Sequence, residues 1–270
     1  MGKVITTCNQ KGGTGKTTSA INLAAYLALA GKKILLIDLD PQGNATSGVG
    51  INKHKIEKST YDILLDELDI DTIIQKTEVE RLFLAPANLS LTGAEVELVS
   101  ALGREYRLKK ALAKARGDFD FIIIDSPPSL GLLTINALCA ADSVIIPVQC
   151  EYYALEGLTQ LANTIELVKN NLNPNLVIEG VLLTMADFRT NLTKEVIQEV
   201  RKHFKDTVYD TVIPRNIRLT EAPSFGKPIA LYDRESLGAI KYEDLSREVL
   251  GLVKSGTTKT ELVDGVADES

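Results

Sequence analysis

Apolar and polar positions along the chain form two kinds of run that alternate. Short, nearly continuous Ile/Leu/Val stretches predict strands at Val4–Cys8, Lys33–Ile37, Leu82–Leu84, Phe119–Ile124, Ser143–Val148, Val177–Thr184 and Thr207–Ile213. Longer segments with helical spacing of apolar residues predict helices over Lys16–Ala30, Thr60–Leu65, Thr92–Ser100, Glu105–Ala115, Leu132–Ala140, Leu155–Asn170, Thr193–Phe204 and Leu237–Val253. Thr92 with Glu95 has capping-box spacing, and Thr193, with the weaker partner Val196, marks a second helix start. Strands without polar alternation are buried on both faces, so the sheet is covered by helices on each side. Strand–helix alternation then implies an α/β fold: one domain with a doubly wound, mostly parallel sheet flanked by helices. The periodicity stops near Ser255, and the Gly/Thr/Asp/Glu-rich remainder lacks an apolar face. The expected organisation is a folded domain over 1–254 and a disordered tail over 255–270.

Composition narrows this picture little. The 270 residues are 44% hydrophobic and 24% charged, as in ordinary soluble globular proteins. A net charge of −6 argues against a generally basic surface but leaves room for a local basic patch. Cys8, Cys139 and Cys150 are far apart and form no C-x-x-C pair, which fits a reducing cytoplasm. Met1-Gly2-Lys3 leads directly into the first strand, so no signal peptide is expected. No apolar run approaches the roughly 20 residues that span a bilayer.

Candidate chemistry begins at Lys11-Gly12-Gly13-Thr14-Gly15-Lys16-Thr17-Thr18, between the first strand and the first helix. A glycine-rich turn there aims backbone N–H groups and the positive helix end at a phosphate. Lys16 reaches the β- and γ-phosphates, and the Thr17 hydroxyl ligates Mg²⁺. The standard first glycine of such a loop falls on Gln10, and an additional lysine, Lys11, opens the loop instead. The second strand runs into Asp38-Leu39-Asp40-Pro41-Gln42-Gly43-Asn44, at the sheet edge where α/β ligands bind. Alternation puts both carboxylates on one side. Asp40 is expected to orient the attacking water and Asp38 to hold the Mg²⁺ water shell, with Pro41 and Gly43 turning a switch loop. Phe121-Ile122-Ile123-Ile124-Asp125 reads as a Walker B strand, whose Asp125 holds Mg²⁺ through water. The Pro-Pro-Ser-Leu-Gly that follows is a second candidate γ-phosphate sensor.

The base is read as adenine. Thr184-Met185-Ala186-Asp187 lacks the lysine of a guanine-reading motif, and Pro214-Arg215-Asn216 can supply an adenine-facing loop. No rival site emerges: His54 and His203 are isolated, and the cysteines are read as packing residues.

These residues resemble a known family. Lys11–Thr18 resembles the deviant Walker A box of the ParA/MinD ATPases, and Asp38–Asn44 their switch segment. Ile124-Asp125-Ser126-Pro127-Pro128, Pro147–Gly157 and Ile213–Pro228 resemble the ParA branch, in particular its chromosomal Soj-type partition ATPases. The likeness runs from residue 1 to about 253, and Thr14, where valine is frequent, departs little from it. It implies Mg²⁺-dependent ATP hydrolysis in a sandwich dimer, with Lys11 reaching the partner's phosphates and Gly12 allowing the loops to approach. It further implies non-specific double-stranded DNA binding by the ATP dimer, stimulation by a ParB-type centromere-binding protein, and a cytoplasmic, nucleoid-associated location. Arg189 and Arg218 match the family's DNA-contacting positions, and Arg215 is a weaker candidate. Residues 185–230 carry eight Lys/Arg against six Asp/Glu, a modest local excess.

Two alternatives are weaker. A MinD-like membrane-cycling ATPase needs a basic amphipathic C-terminal helix, whereas Thr257–Ser270 has no apolar stripe. An iron–sulfur carrier or nitrogenase-type electron-transfer protein needs interfacial cysteine pairs, which this spacing does not offer.

Overall fold

The computed structural model describes residues 1–152 and 154–252. The expected tail at 255–270 lies outside them. Among the described residues, eight strands alternate with helices: β1 (Lys3–Thr7), β2 (Ile34–Asp38), β3 (Gln75–Lys76), β4 (Leu82–Ala85), β5 (Phe121–Asp125), β6 (Ser143–Gln149), β7 (Val177–Ala186) and β8 (Val208–Pro214). The helices are α1 (Lys16–Leu29), α2 (Asn44–Gly48), α3 (Thr60–Leu65), α4 (Leu91–Glu97), α5 (Arg107–Ala115), α6 (Leu132–Ala140), α7 (Ala154–Asn171), α8 (Asn191–Phe204), α9 (Ile217–Glu221), α10 (Ile229–Tyr232) and α11 (Leu237–Val249). The strands form a single sheet in the order β3-β4-β2-β5-β1-β6-β7-β8. All pairings are parallel except β3 with β4.

The apolar strands are buried on both sides, as their composition requires. Val4, Leu35, Ile37, Ile122, Ile124 and Val144 face the layer that contains α3 to α8. Their neighbours Ile5, Ile34, Leu36, Ile123 and Ile145 face α1, α2 and α9 to α11. The same two-residue alternation sends Thr7, Asp38 and Asp125 to the α1 side. These three last strand residues are also in register, Thr7 opposite Asp125 and Asp125 opposite Asp38. A polar row therefore crosses three strands directly beneath the start of α1.

Several details differ from the sequence reading. β3 is an added two-residue antiparallel edge strand, too short to leave a periodic signal. α11 ends at Val249 rather than running to Val253. The Thr92–Glu95 capping box does not form; α4 starts at Leu91 without a side-chain cap, and the Glu95 carboxylate instead lies against Gly131. Thr193 lies inside α8, whose cap is Thr190, accepting from the Thr193 N–H at 3.3 Å. The capping box that does form is at α3, between Ser59 and Asp62. Aspartate at the third helical position, where Glu or Gln is the usual mark, hid it from the sequence pattern.

Candidate active site

The loop after β1 has the backbone geometry that a phosphate cradle needs. Gly13 and Gly15 adopt φ of +73° and +88°, the left-handed region in which a side chain is strained. Gly15 directly precedes α1, so the first N–H groups of that helix open toward the loop. Thr184 at the end of β7 donates to the Thr14 carbonyl at 2.9 Å, fastening the loop to the sheet. Lys16 is almost wholly buried, and its Nζ donates to the Lys11 carbonyl at 3.1 Å across the loop. Burial lowers its pKa, opposed by the nearby charges of Asp125, Cys8 and Asp40. A Cβ on Gly12 would meet open space within this protomer.

Beneath the loop lie the carboxylates. Asp125 is completely buried; its Oδ1 accepts from Thr7 Oγ1 at 3.4 Å, and the nearby Thr17 hydroxyl acts to lower its pKa. Its Oδ2 is buried with no hydrogen-bond partner among the described residues. Desolvation, and then the neighbouring charge of Asp38, raise its pKa well above the carboxylate range. The orphaned carboxylate oxygen and the Thr17 hydroxyl are hard oxygen donors of the kind a divalent cation prefers. Asp38 is placed differently. Its Oδ2 accepts from the Thr46 N–H and hydroxyl, each at 2.7 Å, and its Oδ1 from the Asp40 N–H at 3.1 Å. Burial pushes its pKa up to about 6, moderated by those bonds. Much of its accepting capacity is thus spent on protein, which leaves less for a metal-bound water than sequence position suggests. Asp40 is slightly exposed and braces its own turn by accepting from the Gln42 N–H at 2.9 Å.

A cavity of about 350 Å³ opens beside Gly15 and Thr18 and is lined by Pro214, Arg215 and Asn216, the residues expected to face adenine. Thr184, Met185 and Tyr242 also line it; the sequence places Thr184 and Met185 at the strand end where a base-reading motif would lie, but marks none of the three as cavity-lining. Met185 holds φ of +52°, unusual for a side chain of its size. The Tyr242 hydroxyl lies 3.1 Å from Ser19 Oγ, tying α11 to the loop helix. A tyrosine in an amphipathic helix carries no signal that distinguishes core packing from cavity lining. Asn216 also caps α9, accepting from the Leu219 N–H at 3.3 Å.

The remaining cationic residues stand at the rim. Lys11 points to Glu151 at 2.6 Å, with both side chains about half exposed. Arg189 is gripped at both ends of its guanidinium by Asp187, at 2.8 and 2.7 Å. Arg218 lies between Glu221 at 3.0 Å and Asp233 at 3.2 Å. Arg215 is exposed, and its N–H donates to the Ala186 carbonyl, so the ends of β7 and β8 carry Arg189, Arg215 and Arg218 together. The three cysteines are buried thiols. No His/Cys/Asp/Glu group of metal-binding size occurs among the described residues, and none of their helices is long and apolar enough to cross a membrane.

A family model described as an AAA domain matches residues 2–178. The chain is 63% identical over 249 residues to the sporulation initiation inhibitor protein Soj of Bacillus subtilis, covering 92% of this chain and 98% of that protein. It is 55% identical over 260 residues to the chromosome partitioning protein ParA of Myxococcus xanthus, covering 96% and 91%. Among solved structures it is similar to a cobyrinic acid a,c-diamide synthase from Mycobacterium smegmatis with bound ADP and magnesium, at 39% identity and a TM-score of 0.82, covering 93% and 94%.

Proposed function

This chain belongs to the Soj/ParA family of chromosome-partitioning ATPases, and we propose that it binds and hydrolyses ATP with Mg²⁺ to switch its hold on DNA. The observation that carries this reading is the polar row Thr7–Asp125–Asp38 under the loop helix, with the orphaned Asp125 Oδ2 at its centre. Thr17, and Asp125 through water, would hold Mg²⁺, which would supply charge neutralisation for the phosphates of ATP. Asp38 would contribute through water only by sharing the oxygens that now bond Thr46 and Asp40. Loop N–H groups from Lys11 to Thr18 cradle the phosphates, Lys16 leaves the Lys11 carbonyl for them, and Pro214, Arg215 and Asn216 enclose the adenine. Asp40, at the mouth of the buried row, orients the attacking water.

Two ATP-bound protomers pair as a homodimer. Lys11 exchanges Glu151 for the partner's phosphates, where a cation stabilises charge that develops during transfer. Open space around Gly12 supports such a close approach. Arg189, Arg218 and, less directly, Arg215 then present a doubled phosphate-contacting surface to double-stranded DNA without regard to sequence. A ParB-type partner accelerates hydrolysis, and the released monomer returns from the nucleoid to the cytoplasm.

DNA co-sedimentation with ATP, with ADP and without nucleotide tests this reading. ATP-dependent retention that declines as salt rises is expected. Equal retention in all three states, or none in any, would defeat it.

A further inference from the structure

We infer that Thr46 is a positioning residue for ATP hydrolysis, acting through the Asp38 carboxylate to fix the backbone that carries Asp40. The inference rests on the hydrolysis reading above and concerns a side chain with no place in the nucleotide site itself.

Thr46 is completely buried and joins three pieces of chain. Its hydroxyl donates to Asp38 Oδ2 at the end of β2 and accepts from the Ala87 N–H, just past β4, at 3.0 Å. Its own N–H makes the second bond to Oδ2, while Oδ1 of the same carboxylate holds the Asp40 N–H. Segment 40–46 is therefore a closed loop pinned at both ends to one buried aspartate. Within it the Gln42 N–H binds Asp40 Oδ1, and the Gly43 N–H binds the Asp40 carbonyl at 2.8 Å.

Elsewhere the segment is held by packing and one exposed bond: Ala45 is buried in the α1-side core, and Lys53 Nζ donates to the Gln42 carbonyl. α2 is five residues long, far below the length at which a helix sustains itself. It is entered through Gly43 at φ of +62°, a permissive residue. The β-branch of threonine restricts χ1 and so directs the hydroxyl. Valine would keep that shape and lose both hydroxyl bonds, leaving the buried Ala87 N–H unpaired. Asp40 would then sit on a looser turn, while the loop from Lys11 to Thr18 and the base cavity would be untouched.

The test compares wild type, Thr46→Val and Thr46→Ser by ATP affinity, single-turnover hydrolysis with protein in excess, and thermal melting. The expected result for Thr46→Val is an ATP Kd within about twofold of wild type and a hydrolysis rate at least about tenfold lower, since small misplacements of a catalytic group cost up to about 100-fold. Thr46→Ser, which restores the hydroxyl, should recover the rate to within about threefold. A wild-type rate in Thr46→Val, or a loss that Thr46→Ser shares fully, overturns the inference. So does a loss confined to Kd. Should Thr46→Val fail to fold, Thr46→Cys replaces it, because its thiol is only a weak donor; slow hydrolysis at normal Kd supports the inference, and a wild-type rate overturns it. A wild-type chain that does not hydrolyse ATP defeats the reading on which the inference stands, whereas an active wild type with an equally active Thr46→Val defeats the inference alone.

Discussion

Asp38 and Asp125 lie opposite each other on neighbouring parallel strands, fully buried, and both are held above the usual carboxylate range. Two carboxyl groups in one dry row disfavour each other's ionisation. For such groups the charged form weakens the fold, so their contribution to stability is lost as pH rises from the unfolded pKa through the higher folded one. Near neutral pH the pair therefore costs the nucleotide-free protein stability, a cost that a cation bound beside it would relieve. Asp125→Asn should raise the Tm of the nucleotide-free protein, by about 2–4 °C for each kcal/mol relieved in a chain of this size. It should also lose the further rise that Mg²⁺ with ATP gives the wild type. Melting curves with Mg²⁺ and with EDTA check both parts; a lower nucleotide-free Tm together with an intact Mg²⁺ response would contradict the assignment.

Lys16→Ala should remove ATP binding. The ammonium is buried against Asp125 and Asp40 and is already partly desolvated, so it waits for a phosphate at little further cost. The expected loss of affinity is about 100-fold or more, from the removal of charge-assisted bonds in a water-poor loop. Titration of a fluorescent ATP analogue measures it, and ordinary affinity would refute the cradle.

Lys11→Ala should leave stability almost unchanged, because its pair with Glu151 is half exposed and such pairs contribute about 0–1 kcal/mol. Hydrolysis and ATP-dependent dimerisation should nevertheless fall sharply if this lysine serves the partner protomer. Light scattering with ATP, beside a melting curve, separates the two effects. A variant that dimerises and turns over normally would remove Lys11 from the mechanism.

Asp40→Ala should bind ATP, accumulate dimer and fail to turn over. Asp40 is slightly exposed at the mouth of the buried row; its side chain accepts from the Gln42 N–H, while its bonds to Asp38 and Gly43 are made by its backbone, which alanine keeps. The fold should therefore tolerate its loss. Wild-type hydrolysis in this variant would exclude Asp40 as the water-orienting group.

Arg189→Glu should abolish DNA retention while sparing the ATP dimer. Asp187→Asn should have the opposite sign, since the bidentate Asp187 grip competes with a DNA phosphate for the same guanidinium. Every further phosphate that an arginine neutralises steepens the salt dependence of binding by about 0.9 in log–log slope. Binding isotherms at several salt concentrations read the change directly; weaker DNA binding by Asp187→Asn would mean that the carboxylate supports Arg189 rather than masking it.

Much of this protein was legible before its fold. The Lys11–Thr18 loop, the aspartates closing β2 and β5, and the two-faced burial of the strands follow from residue type and period alone. Backbone hydrogen bonding and side-chain alternation are local and repeat along the chain. Alternation places Asp38 on the face of Leu36 and Asp125 on that of Ile123, but only packing shows that α1 covers that face. Other features are silent in sequence because they depend on which elements become neighbours. The register that aligns Thr7, Asp125 and Asp38 is set by packing across three strands distant in the chain. The engagement of Asp38 by Thr46 turns an expected metal-shell residue into the anchor of the switch loop. The base cavity joins Thr18, Met185, Pro214 and Tyr242, which share no motif and meet only when α11 closes over α1. Sequence by itself determined which groups carry the chemistry, since that depends on their identity and local geometry. Tertiary structure decided which of them are free to act, since a buried polar atom is available only when no neighbour has already bonded it.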